Sequence, residues 1–179
     1  MKINANTYLP FPRPLVYTTF RDRLLDLIPY MPNIRSVEVK SRQVEDGVIR
    51  CVNDWHGGGE IPVAARAFLS EDMLSWTEYN TWNADDFVVE WQIKTHAFTE
   101  AVHCVGKNCF LAEGDATRVE SRGKLIIDPK QIHGAPAFLV GGIAHIVEEL
   151  LGGKIEPNLK HMSEGVCCYL KQRGVQPIS

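Results

Sequence analysis

The 179-residue sequence predicts an α+β domain in which a curved antiparallel sheet of six to seven strands wraps around a long C-terminal helix, with short helices after the first strand. Three observations predict it. From Val37 to Ile127 apolar and polar residues alternate in runs separated by Gly, Asn, Asp and Ser clusters, the pattern of a meander of neighbouring strands. From Pro136 to about Lys171 the apolar period changes to 3.6. A proline-bounded segment of helical spacing separates the first strand from the meander.

In chain order, residues 2–8 alternate Ile3, Ala5 and Thr7 against Lys2, Asn4 and Asn6, as a first strand does. Pro10, Pro12 and Pro14 end it, because proline donates no ladder hydrogen bond, and Pro14 suits the first turn of a helix. Val16, Phe20, Leu24, Leu25 and Ile28 then follow helical spacing until Pro29 and Pro32 stop it, which gives one or two short helices. Val37 and Val39 alternate with charged neighbours up to Glu45-Asp46-Gly47, a tight hairpin turn. The returning arm, residues 48–56, puts Ile49, Cys51, Asn53 and Trp55 on one side. Gly57-Gly58-Gly59 ends it and suggests flexibility at a cavity mouth, and Pro62 to Ala65 suggests a bend or short helical turn. Further strands are expected at about Arg66–Leu69, Leu74–Asn83, Val88–Phe98, Val102–Ala112 and Thr117–Ile127.

The final segment carries a stripe of Ile143, Ile146, Leu150, Leu151, Ile155, Leu159, Met162, Val166 and Leu170. Pro157 lacks an amide hydrogen and Gly152-Gly153 weakens the same region, so a kinked helix or two nearly collinear ones are expected. Gly141-Gly142 and Gly152-Gly153 lie about three helical turns apart, on a face that can approach a sheet or a ligand closely.

Composition narrows the function classes. The length fits a single domain over residues 1–179. A net charge of -3 with interleaved acids and bases gives no nucleic-acid footprint, which needs clustered Lys and Arg. The start M-K-I-N-A-N-T-Y has no signal-peptide pattern, and the longest apolar run, Ala135–Ala144, is too short to cross a bilayer. Five cysteines, Cys51, Cys104, Cys109, Cys167 and Cys168, show no disulfide framework and suit a reducing cytoplasm. Open sheet edges would allow pairing into a homodimer.

The first strand running into P-L-V-Y-T-T-F-R-D-R-L-L-D-L-I-P-Y-M-P, the later M-L-S-W-T-E-Y-N-T-W and the terminal I-E-P-N-L-K-H-M-S-E-G-V-C-C-Y-L-K together resemble the START-like superfamily, also called SRPBCC or helix-grip proteins. The resemblance covers nearly the whole chain and rests on the order of elements. It implies a deep cavity between helix and sheet that, in various members, binds lipids, polyketides, sterol-like molecules or quinones. Some members cyclise polyketides; many only bind or transport.

Strand alternation proposes the cavity wall, since every second residue faces the hollow. Trp76, Glu78, Asn80 and Trp82 share one side of their strand with Leu74. Phe87, Val89, Trp91, Ile93 and Thr95 share a side of the next, opposite Val88 and the polar Glu90, Gln92, Lys94 and His96. Val119, Ser121 and Leu125 oppose Arg118, Glu120, Arg122 and Lys124. With Trp55 and with Ile143 from the helix, these are the expected ligand-binding residues: a hydrophobic small molecule against a rigid aromatic wall. The same tryptophans would serve equally as core. A one-residue bulge would turn Thr77, Tyr79 and Thr81 inward and leave Glu78 in solvent.

Catalytic signals are weak. No serine stands in a nucleophile elbow and no second carboxylate completes an acid/base pair. His96, His103, Cys104 and Cys109 match no common zinc spacing, so neither metal nor cofactor is expected. The glycine triplet lacks the Lys-Ser or Lys-Thr of a phosphate loop. If the chain is an enzyme, cyclase or aromatase chemistry fits best, with Glu78, Asn80 and Trp55 as the first residues to mutate. The remaining reading is an interaction domain whose cavity is collapsed and inert.

Overall fold

The computed structural model describes residues 1–178 except 59, 62, 64, 65, 67, 68, 134 and 135. Strand β1 (Lys2–Leu9) leads into α1 (Arg13–Asp22) and a short α2 (Leu24–Leu27), followed by a tight turn at Ile28–Tyr30. Six strands come next: β2 (Ile34–Glu45), β3 (Val48–Gly57), β4 (Ser75–Asn83), β5 (Val88–Thr95), β6 (Val102–Glu113) and β7 (Ala116–Ile127). Helix α3 (Ala137–Gln172) closes the chain.

The seven strands form one antiparallel sheet in the order β1-β7-β6-β5-β4-β3-β2, open at β1 and β2. Every connection from β2 to β7 joins neighbours, and only the α1–α2 excursion crosses the sheet. The β2–β3 hairpin turns on Asp46 (φ 49°) and Gly47 (φ 78°), the pair of left-handed residues that matches strand twist in a two-residue turn. Two register shifts in β2, at Ile34/Ser36 and Val39/Ser41, bend that edge strand.

The helix lies across the concave face and is tied to the β1 edge. The Asn4 amide donates to Glu156 Oε1 at 2.8 Å, and the hydroxyls of Thr7 and Ser163 are 2.7 Å apart. Two cores pin its ends. Near its C-terminus Val166, Tyr169 and Leu170 pack with α1 and with Phe110 and Val119, where Tyr17 meets Trp82, Phe87 and Phe110 edge-on at 5.2–5.4 Å. Near its N-terminus Ile143, Ala144 and Val147 pack with Ile3, Trp91, Cys104 and Leu125. Between Leu151 and Met162 not one residue is fully buried, although the apolar stripe continues there. The middle of the helix spans a hollow.

Helix α3 continues through Pro157 as one long helix, one of the two forms expected. Other expectations change. Among the described residues nothing lies within 4 Å of where a Cβ on Gly141, Gly142 or Gly153 would stand, and of these four glycines only Gly152 is approached closely, by Met1 Sδ at 2.6 Å. The glycine face therefore does not meet the sheet, because the buried stripe takes the opposite side. Strand β5 stops at Thr95 rather than Phe98, which sits in a turn at φ 55°. Arg66 and Leu69 are not in a strand, and the intervening residues, with Gly59, Pro62, Ala64 and Ala65, lie outside the described residues. Among the described residues no helix is long and apolar enough to cross a membrane.

Candidate ligand cavity

The hollow beneath α3 has a volume of about 500 Å³, within the range of small-molecule sites. Its roof is Val147, Leu150, Leu151, Ile155, Leu159 and Met162, from successive turns of the helix. Its floor is the inward face of β3, β4 and β5, extended by Cys104, Asn108 and Leu125 from β6 and β7. One flank is the α1–α2 junction against Arg42 of β2, where Asp22 takes hydrogen bonds from Arg21 and Arg42, each at 2.7 Å. Those guanidinium groups, Arg21 foremost, hold the Asp22 carboxyl below its ordinary range. On another flank Lys154 donates to the Gly58 carbonyl at 3.3 Å.

Of the residues expected in the wall, Trp55, Trp76, Glu78, Asn80, Trp82, Val89, Trp91, Ile93 and Leu125 line the cavity. The strand β4 register runs unbroken against both β3 and β5, so Glu78 is inward and Tyr79 is outward. Phe87, Val119, Ser121 and Ile143 do not line it. Phe87 lies in the turn before β5 at φ 53° and packs under α1, with the Arg13 guanidinium 4.0 Å from its ring centroid. Val119, 2% exposed, belongs to the core at the C-terminal end of α3. Ser121, between Asn108 and Ala5 in register, is covered at 4% exposed. Ile143 belongs to the core at the N-terminal end of α3. All four face inward, but beyond the ends of the hollow.

Thr95, on the inward side that alternation gives β5, lines the floor, and Asn53 and Asn108 join it, as do Met31 and Ile34 at its edge, beyond the ligand-binding residues that the sequence proposes. Asn53 has a signal in the sequence, since it shares the alternating face of Cys51 and Trp55. The glycines opposite Trp91 carry no local signal at all. Trp91, Gly106, Gly123 and Ile3 form one cross-strand row. A Cβ on Gly106 would stand 2.3 Å from Trp91 Cζ2, and one on Gly123 2.7 Å from Cη2. The indole therefore lies flat across two neighbouring strands, with Nε1 donating to Asn108 Oδ1 at 3.0 Å. A ring lying on the sheet leaves the space above it open. Gly57 has a similar use: a Cβ there would be 2.8 Å from the Leu74 carbonyl and 3.1 Å from Trp76, so it serves close approach rather than flexibility.

Trp55 and Trp76, cross-strand partners, stack with centroids 5.8 Å apart and planes 6° from parallel. Trp55 Nε1 donates to Glu78 Oε2 at 2.9 Å, and Asn80 Nδ2 donates to the same oxygen at 3.1 Å. Burial pushes the Glu78 carboxyl above the usual range, opposed by these two hydrogen bonds, and among the described residues no cation is paired with it. Burial also pushes the Cys104 thiol up to about 12. His96, on the outer face, contacts Thr77 and Ser75 hydroxyls at 2.9 and 3.0 Å. Among the described residues no three His, Cys, Asp or Glu side chains are gathered as a metal site. The cavity can bind apolar surface, and one carboxyl inside it can hold or move a proton.

No family model and no curated protein sequence matches the chain. Solved structures do. The protein TTHA0849 of Thermus thermophilus is similar at a TM-score of 0.67 and 23% identity, covering 94% of this chain and 99% of the other. The ZhuI aromatase/cyclase of Streptomyces sp. R1128 is similar at a TM-score of 0.69 and 16% identity, covering 97% and 95%. Norcoclaurine synthase of Thalictrum flavum is similar at 0.62 and 14%, covering 97% and 96%. The shared architecture is the helix-grip fold, and this chain has it.

Proposed function

With the helix-grip fold as premise, we propose that residues 1–179 form one cytoplasmic domain that binds or carries a hydrophobic small molecule, of lipid, quinone or polyketide type, beneath α3. The carrying observation is the hollow of about 500 Å³ left open by a helix whose middle is apolar but not buried. Burial of ligand surface at about 25 cal/mol per Å² drives such binding, so a ligand hiding roughly 300 Å² gains ~7 kcal/mol before the cost of association. Five free cysteines support a reducing compartment. An open hollow counts against an inert interaction domain.

One observation favours a second reading, cyclase- or aromatase-like catalysis in the same cavity. Glu78 sits inside it with a raised carboxyl and, among the described residues, without an ion pair, which suits general acid or base work. The solved aromatase/cyclase and norcoclaurine synthase neighbours support that class without assigning it.

Native mass spectrometry of the protein purified from its own cells tests the binding reading. The expected result is a bound species released on denaturation, together with saturable fluorescence enhancement of N-phenylnaphthylamine. A protein that emerges empty and leaves the dye dark at all concentrations sinks the proposal.

A further inference from the structure

The cavity floor carries a polar patch whose hydrogen-bonding capacity the protein leaves partly unused. Asn53 on β3 and Glu78 on β4 are direct cross-strand partners, and Asn80 follows on the same face of β4. Asn53 is 3% exposed and Asn80 9%, and all three residues line the cavity. Both donors that reach Glu78 go to Oε2. Among the described residues Oε1 has no partner, nor has either end of the Asn53 amide. Neither group is sealed in protein; both open onto the hollow, so an unused carboxyl oxygen beside an unused amide is free to take a ligand's polar atom. The next cross-strand pair is the stacked Trp55 and Trp76, which sets a flat aromatic surface beside the patch.

We infer that the cavity selects a flat ring system bearing an uncharged oxygen, a ketone or phenol, that Glu78 Oε1 and the Asn53 amide hold together, and that the pair discriminates against carboxylate-bearing ligands such as fatty acids. The inference rests on the cavity being a ligand site. A ketone oxygen has two lone pairs, and the patch offers two donors when Glu78 is protonated: its O–H and the Asn53 Nδ2 hydrogens. A phenol can donate to Asn53 Oδ1 and accept from Glu78. A ligand carboxylate at the same spot loses its water beside an acid, and no cation among the described residues lies on this patch to replace it. The cations in the wall are elsewhere: Lys154 on the flank where it bonds the Gly58 carbonyl, and Arg21, Arg23 and Arg42 at the α1–β2 flank, with Arg21 and Arg42 already paired to Asp22.

Displacement of N-phenylnaphthylamine by fluorene, fluorenone and fluorenecarboxylate, run on the acid side at about pH 5 and again at about pH 8, tests this. Where Glu78 carries its proton, two added hydrogen bonds predict that fluorenone binds roughly 10- to 30-fold more tightly than fluorene, with the carboxylate weaker than either, and the fluorenone preference shrinks as Glu78 ionises. Glu78→Leu and Asn53→Leu should each bring fluorenone to within about three-fold of fluorene, whereas Glu78→Gln, which keeps a donor at the same place, should retain most of the preference. If the dye binds but wild-type protein does not separate fluorenone from fluorene, or prefers the carboxylate, the inference is overturned while the cavity reading stands. If the dye and all three compounds fail to bind, the cavity reading falls and this inference with it. The wild-type comparison needs no variant to fold, and Asn53→Leu provides a second site should Glu78→Leu aggregate.

Discussion

Replacing Gly106 with alanine sets a methyl carbon 2.3 Å from Cζ2 and 2.5 Å from Cη2 of Trp91, and 2.5 Å from the Arg122 carbonyl oxygen. Carbon atoms prefer separations of about 3.5–4.0 Å, so the indole must rise off the sheet by more than an ångström. Overpacking of this kind costs about 1–3 kcal/mol. The rise also breaks the bond from Trp91 Nε1 to Asn108 Oδ1, at about 1 kcal/mol, and leaves a buried amide oxygen unpaired for about 1 kcal/mol more. A gain of about 0.5 kcal/mol from a stiffer unfolded chain offsets part of this. The net expectation is a loss of about 2.5–4.5 kcal/mol, read as a lower urea midpoint at unchanged slope. Because the displaced ring enters the hollow, N-phenylnaphthylamine affinity should fall in parallel. In a Trp91→Leu background only the carbonyl contact remains, so the same glycine change should cost about half as much. A loss below about 1 kcal/mol, or an equal loss with and without the indole, would refute the account of Trp91 as a ring held flat by its glycine neighbours.

Glu78→Gln should stabilise the protein in a pH-dependent way. The folded carboxyl binds its proton more tightly than the unfolded one, whose ordinary value is 4.5, so native stability falls as pH rises from there through the raised value. The glutamine variant should therefore gain on wild type above that window, by about 1.4 kcal/mol per unit of elevation, and match it below; a gain that does not change with pH contradicts this. Thr95 Oγ1 is buried without a partner among the described residues, so the isosteric Thr95→Val should be neutral or stabilising by up to about 1 kcal/mol in thermal melts. A clear loss would mean the hydroxyl has a partner. With a charged thiol reagent at mildly alkaline pH, Cys168 on the surface should react first and Cys104, buried with its thiol at about 12, only on unfolding. Peptide mapping of early labelling at Cys104 would contradict this.

The strands of the meander were legible because their alternation is local. Glu45-Asp46-Gly47 marks the first hairpin, and the unbroken alternation from Trp76 to Trp82 places Glu78 inward, as found. Inwardness alone does not tell core from cavity. Phe87, Val119, Ser121 and Ile143 face the right way, yet lie where α1 or an end of α3 fills the sheet, and that depends on contacts far apart in sequence. The rows that join Asn53 to Glu78, and Trp91 to Gly106 and Gly123, exist only once the register is set, so nothing local marks these glycines as seats for a ring. The helix stripe was plain from Ile143 to Leu170, but Ile155 and Leu159 have the same composition whether they roof a hollow or seal a core.

Helix α3 is held like a beam on two abutments, Ile143 to Leu150 at one end and Ser163 to Leu170 at the other. The apolar side chains along the middle span are only partly buried, touching the cores with one side and the hollow with the other, so their size and shape can vary more than those at the ends. Guest preference and folding are thereby assigned to different stretches of a single helix, which makes Leu151, Ile155, Leu159 and Met162 the natural positions for reprogramming the interior.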